Sequence, residues 1–150
     1  MEIHWTQYLT ALLTPVIALL GSLITFMQWK LARNKLKLDL FDKRYVVYKA
    51  CTQFISAIST TGASSNEEQA NFLRDTSDAK WLFNLEIAKY INEILWETAM
   101  EVESLSADIP STNAQNKSNM IRERANKKIF LNKQYVRLNE LFEPFMYIKH

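Results

Sequence analysis

The residues best suited to chemistry lie toward the C-terminus, in "NKSNMIRERANKKIFLNKQYVRL". Lys117, Arg122, Arg124, Lys127, Lys128, Lys133 and Arg137 stand there against one acidic residue, Glu123. Arg offers phosphate a two-pronged fork, Lys a point charge, and the interspersed Asn and Gln an edge for a base. Rings for stacking exist at Tyr135, Trp81 and Trp96, although such rings also serve as ordinary core residues. The pattern suits an anion, with Arg122, Arg124, Lys127, Lys128, Lys133 and Arg137 as candidate ligand-binding residues. The same cations would also suit pairing with acidic residues elsewhere in the chain, or contact with an anionic membrane leaflet.

Other chemistry is thin. The two histidines are His4 and His150, and neither has a ligand or base partner at useful spacing. There is no Gly-rich phosphate loop, no His-Glu-x-x-His and no nucleophile elbow. Asp39 and Asp42 share a helix face, but Lys43 and Arg44 beside them make surface pairing the simpler account. Hydrolytic or redox catalysis is therefore not expected, and neither is a metal or a cofactor. The single Cys51 excludes an internal disulfide and reads as a small buried apolar residue.

Charge is segregated along the 150 residues. Residues 1–61 carry seven basic and three acidic side chains, 62–110 three and ten, and 111–150 eight and three. An acidic middle packed between two basic flanks satisfies this pattern, and so does a cationic surface kept for an anionic partner. With only two Gly and three Pro, and Ala, Leu, Lys, Glu, Gln, Arg and Met plentiful, the chain favours long helices.

What positions these residues starts at the other end. From Trp5 to Trp29, "WTQYLTALLTPVIALLGSLITFMQW", no residue is charged over 25 positions. A helix needs about 20 residues to cross about 30 Å of hydrocarbon. Trp5, Tyr8 and Trp29 fall near the two ends, where amphipathic rings settle among headgroups. Lys30, Arg33, Lys35 and Lys37 follow directly, so the positive-inside rule places residues 30–150 in the cytoplasm and the N-terminus outside. The expected anchors are Trp5, Tyr8, Trp29, Lys30 and Arg33. Thr10, Thr14, Ala18 and Ser22 recur every fourth position on one helix face, and small residues there let a second helix approach closely. Pro15 frees the carbonyl of Ala11 and is expected to kink the helix.

No Gly or Pro then interrupts the chain until Gly62. Leu31, Asn34, Leu38, Phe41, Tyr45, Tyr48, Thr52 and Ile55 form a heptad-like seam, and Leu40, Val47, Cys51, Phe54 and Ile58 a second apolar row. The leucines are expected to face a bundle. Thr14, Ala18, Ser22 and Asn34 are the residues expected to support self-association. Ser65 followed by Glu68 fits a capping box. Helices are predicted over 30–59, over 66–106 with a break near Thr76, and over 118–142, with Pro144 as a stop and "FMYIKH" packing back. The expected fold is all-α, an N-terminal transmembrane helix (1–29) continuing into a cytoplasmic antiparallel helical bundle (30–150).

The stretch "KLKLDLFDKRYVVYKA" after an apolar span resembles a widespread set of small bacterial single-span membrane proteins carrying an L-x-L-x-L-F-[DE]-[KR]-R-[FY]-x-V-Y stalk. "FLRDTSDAKWLFNLEIAKYINEI" resembles the middle helix of that set and "LNELFEPFMYI" its end, so the likeness covers about residues 20 to 148. Region 113–137 departs from the set in being more basic. In size and layout the chain is also similar to small membrane effectors of bacterial antiviral systems, including type III CRISPR systems, some of which respond to cyclic oligoadenylate. Most members of the first set have no assigned function, so that likeness implies the architecture of a bacterial inner-membrane protein and little more. The span, its small-residue face and the basic stretch suggest lipid, further copies of the chain and an anionic ligand such as a cyclic oligonucleotide as partners, with no DNA. The expected function is a membrane-anchored oligomeric sensor-effector. The alternative is a passive scaffold that recruits a cytoplasmic protein.

Overall fold

A computed structural model describes residues 5–111 and 113–147, with side chains at 13, 15–111, 113 and 116–147. The described residues are almost entirely helical and contain no strand. The helices are α1 (Trp5–Thr61), α2 (Asn66–Thr76), α3 (Ala79–Leu82), α4 (Leu85–Lys89), α5 (Glu97–Asp108) and α6 (Ala114–Met146). A π-helical segment, Tyr90–Trp96, joins α4 to α5, and a 3-10 turn, Ile109–Ser111, follows α5. The chain divides into two compact units, residues 1–39 and 40–150.

In the first unit the described chain is one helix, long and apolar enough by length and composition to cross a membrane. Its described side chains are all exposed. The leucines expected to face a bundle behave the same way: Leu31 is 71% exposed, and Leu36 and Leu38 are exposed too. A single helix has no second layer to bury them against, which corrects that expectation. Pro15 sits inside the helix without ending it. Ser22 Oγ donates to Ala18 O and Thr25 Oγ1 to Gly21 O, each at 2.8 Å, so both hydroxyls are satisfied within the helix.

The second unit holds the core. Val47, Cys51, Phe54 and Ile58 of α1 are buried, as the second apolar row predicts, while Leu40 at the head of that row is exposed. Ile55 of the heptad-like seam is buried with those four. They meet Phe72 of α2, Ile87, Ile91, Leu95, Ala99 and Val102 of the α4–α5 arm, and Leu131, Leu138 and Phe142 of α6. Fully burying one such side chain contributes about 1.5–3 kcal/mol. Gly62 ends α1 at φ 81°, donating its N–H to Ile58 O at 2.8 Å. That left-handed turn suits glycine. The Ser65–Glu68 capping box forms as predicted: Ser65 Oγ accepts from Glu68 N at 3.1 Å, and Glu68 Oε2 accepts from Ser65 N at 2.7 Å.

Three boundaries differ from expectation. The middle stretch breaks after Thr76, as expected, and also, against expectation, at Phe83–Asn84, where Asn84 Oδ1 caps α4 by accepting from Ile87 N at 2.9 Å. Ile87, Ile91, Leu95 and Ala99 are spaced by fours, a step that overshoots a full α-helical turn by about 40°. The wider i→i+5 turns of the π segment hold that row on one face. Pro144 does not stop α6, which runs from Ala114, ahead of Ser118, to Met146. Sitting in the last turn, its missing N–H costs one hydrogen bond and no long run of helix. Phe145 and Met146 pack half-buried against the core, and Ile148–His150 lie outside the described residues.

Candidate functional site

The basic helix does not gather its cations at one point. Arg122, Lys133 and Arg137 project from the outward side of α6 and are exposed. Arg124, Lys127 and Lys128 turn toward the core side and are half-buried. Lys127 Nζ pairs with Glu101 Oε2 at 2.7 Å, the cross-helix ion pair expected if the basic and acidic segments pack together. Lys128 Nζ donates to Thr60 O at 3.3 Å beside the Gly62 turn. Arg137 Nη1 meets Glu140 Oε2 at 3.3 Å on its own helix. A hollow of about 450 Å³ beside Lys127 is shared with Thr98, Glu123, Asn126 and Phe130, so it admits one of the six cations.

The candidate stacking rings separate. Trp96 is half-buried and lies parallel to Phe72, centroids 5.9 Å apart, while Phe54 and Phe72 stack at 4.1 Å. Tyr135 Oη donates to Thr52 O at 3.1 Å, tying α6 to α1. Trp81 is 79% exposed, with Lys80 Nζ 5.1 Å from its ring.

A cleft of about 360 Å³ lies between α1 and α2 in the second unit. Ala50 and Ala57, two turns apart, line it with small side chains beside the stacked Phe54 and Phe72. Gln53 and Asn71 border the cleft, with Glu68 and Asp75 as its charged rim. Both carboxylates are partly engaged, Glu68 in the capping box and Asp75 with Arg74 at 3.0 Å.

A cation that sequence reasoning took for surface pairing turns out to be structural. Arg44 Nε donates to Leu82 O and its Nη1 to Phe145 O, each at 2.9 Å. Its guanidinium also lies near Phe83 and Phe145, 5.7 and 5.5 Å from the ring centres. One side chain thus holds the frayed end of α3 and the last turn of α6 to α1, through carbonyls that helix ends leave without partners. Its place in the "FDKRY" stretch was the available signal, but nothing local in the sequence indicates carbonyls 38 and 101 positions away.

Two buried ionisable groups sit close by. Burial pushes the Cys51 thiol well above its ordinary range, so it is a poor nucleophile. Burial also raises the Tyr90 phenol, Cys51 adding to the shift and Arg137 opposing it. Tyr90 Oη lies 3.0 Å from Gln134 Oε1, a satisfied polar contact inside the core. Among the described residues no group of three or more His, Cys, Asp or Glu could hold a metal ion.

In the first unit, Arg33 lies 4.8 Å over the Trp29 ring and Phe26 packs 5.9 Å from it, an aromatic–cationic collar at the end of the uncharged stretch. Lys30 and Asn34 are exposed beside it. Ala18 and Ser22 belong to an open groove completed by Gly21, Thr25, Phe26 and Trp29, and a Cβ added at Gly21 would meet open space. The expected anchors Trp5 and Tyr8 and the expected contact residues Thr10 and Thr14 lie outside the described side chains, and His4 and His150 outside the described residues. No family model, curated protein or solved structure matches the chain significantly.

Proposed function

We propose that this chain is a membrane-anchored, oligomeric sensor-effector of the bacterial inner membrane, related to the small single-span proteins whose stalk pattern it shares. In this reading the N-terminus lies outside, α1 crosses the bilayer once, and residues 40–150 form a cytoplasmic antiparallel bundle. One observation carries it: α1 supplies both an apolar, exposed stretch and a central row of the helical core. A rearrangement of that core therefore acts on the helix that would cross the membrane. The signal is anionic, met by Arg122, Lys133 and Arg137 on the outward side of α6, with a cyclic oligonucleotide as the first candidate. No catalysis is assigned.

The full chain in neutral nanodiscs is titrated with linear and cyclic oligoadenylates at two salt concentrations. Binding that weakens at high salt is expected, since each phosphate contact releases condensed ions. The scaffold reading draws on the hollow beside Lys127, which takes in one of the six cations. It leads if no oligoadenylate binds to the folded chain. Alkaline phosphatase fused after His150 should be inactive, and an active fusion would overturn the orientation.

A further inference from the structure

We propose that the outward face of α6 from one copy seats in the α1/α2 cleft of the next, so that the second units join head to tail. This rests on the oligomeric reading above and adds where the copies meet; because Lys133 and Arg137 serve both, the contact between copies and the anionic signal compete for this face. The cleft and the α6 face share one period. Ala50 and Ala57, seven residues apart, line the one cleft with small side chains, and Ile129 and Val136, 55% and 65% exposed, are two knobs seven residues apart. Seven residues of helix span about 10.5 Å on both sides, so the spacing of the knobs matches that of the two alanines.

Height also agrees. Within one copy, Lys128 bonds to Thr60, Tyr135 to Thr52 and Tyr48 to Asn139, which fixes α6 antiparallel to α1. Ile129 is thereby within about one turn of the level of Ala57, and Val136 of the level of Ala50. Rotation about an axis parallel to the 40–61 part of α1 changes no level, so it lets the knobs of one second unit meet the cleft of its neighbour. Two different surfaces meet, and a rotation that closes makes a ring.

Charge selects this occupant over an apolar helix. The cleft rim is acidic through Glu68 and Asp75, and the knobs are flanked by Lys133 and Arg137. Among the described residues Lys133 enters no ion pair, and Arg137 meets Glu140 alone. Glu68 is needed for its cap, so the test uses Asp75.

Three full-length variants are compared with wild type in detergent by light scattering with detergent mass subtracted: Asp75→Arg, the pair Lys133→Asp with Arg137→Asp, and all three changes together. Each reversal should weaken association about tenfold or more, because like charges then face each other, and the triple variant should recover it. Circular dichroism melts confirm folding, and recovery in the triple variant is not expected of a merely structural role. A wild-type oligomer that ignores the reversals overturns this interface and leaves the oligomeric reading standing. Loss without recovery also overturns it. If the reversals instead reduce binding to anionic vesicles with assembly unchanged, the α6 face meets lipid and the interface is overturned. A monomeric wild type removes both readings.

Discussion

Residues 15–39 and 40–61 of α1 belong to one uninterrupted helix and have opposite fates. In the first, Leu, Ile, Phe and Met side chains are exposed, and hydroxyls turn back onto carbonyls four residues earlier. In the second, Val47, Phe54, Ile55 and Ile58 are buried to within a few per cent, and Arg44 and Tyr48 reach across to other helices. Helix propensity does not distinguish the two. Neighbours do, because from Phe41 onward α2, the α4–α5 arm and α6 supply a second layer. An apolar residue is a core residue only where the fold brings something to it.

The sharpest way to break that contrast is to shorten one leucine in each setting. Leu138→Ala or Leu95→Ala empties a fully buried site and should cost about 2–5 kcal/mol of stability. Leu31→Ala or Leu38→Ala should change the thermal midpoint of the monomeric chain by under about 0.5 kcal/mol equivalent. Equal losses at both sites, measured by circular dichroism in detergent, would show that the exposed stretch is covered after all.

Arg44→Ala comes next. It removes two charged hydrogen bonds and leaves the Leu82 and Phe145 carbonyls without this partner, for an expected loss of about 2–3 kcal/mol. Arg44→Lys should recover only part, because one ammonium does not reproduce a planar fork between two rings. Full recovery by Lys would reduce the residue to a point charge.

Gly62→Ala should cost about 1–2 kcal/mol, since an L side chain resists the left-handed turn. The added Cβ would also lie 3.2 Å from Ser106 Oγ. The smallest effect belongs to Ser59, whose buried hydroxyl has no partner among the described residues. Ser59→Ala should leave the melting midpoint unchanged or raise it, by up to about 1 kcal/mol equivalent. A drop would reveal an unseen partner for that oxygen.

The all-α class, the end of α1, the capping box and the row from Val47 to Ile58 were legible because each rests on local spacing or on one residue type. Pro144 misled because proline stops a helix interior and is tolerated in a last turn, and which applies depends on where Phe145 and Met146 find packing. Leu31 and Leu38 misled because periodicity reports a face and is silent about what covers it. The six basic residues were readable as a stretch but not as a site, since helix geometry divides Arg122, Lys133 and Arg137 from Arg124, Lys127 and Lys128. Arg44 was invisible because both its carbonyl partners are distant in sequence.

The π-helical segment bears on how this chain tolerates changes of length. A wide turn of this kind is an α-helix holding one residue more than it needs, and Asn92 and Glu93 are the polar residues among its solvent-facing members. Removing one of them would let the segment tighten to the ordinary pitch while Ile87, Ala99 and Val102 keep their places in the core. A one-residue deletion, ruinous in most helices because it rotates everything beyond it, is here absorbed on the spot. The converse also holds: a second insertion would find no slack left and would turn α5 away from α6.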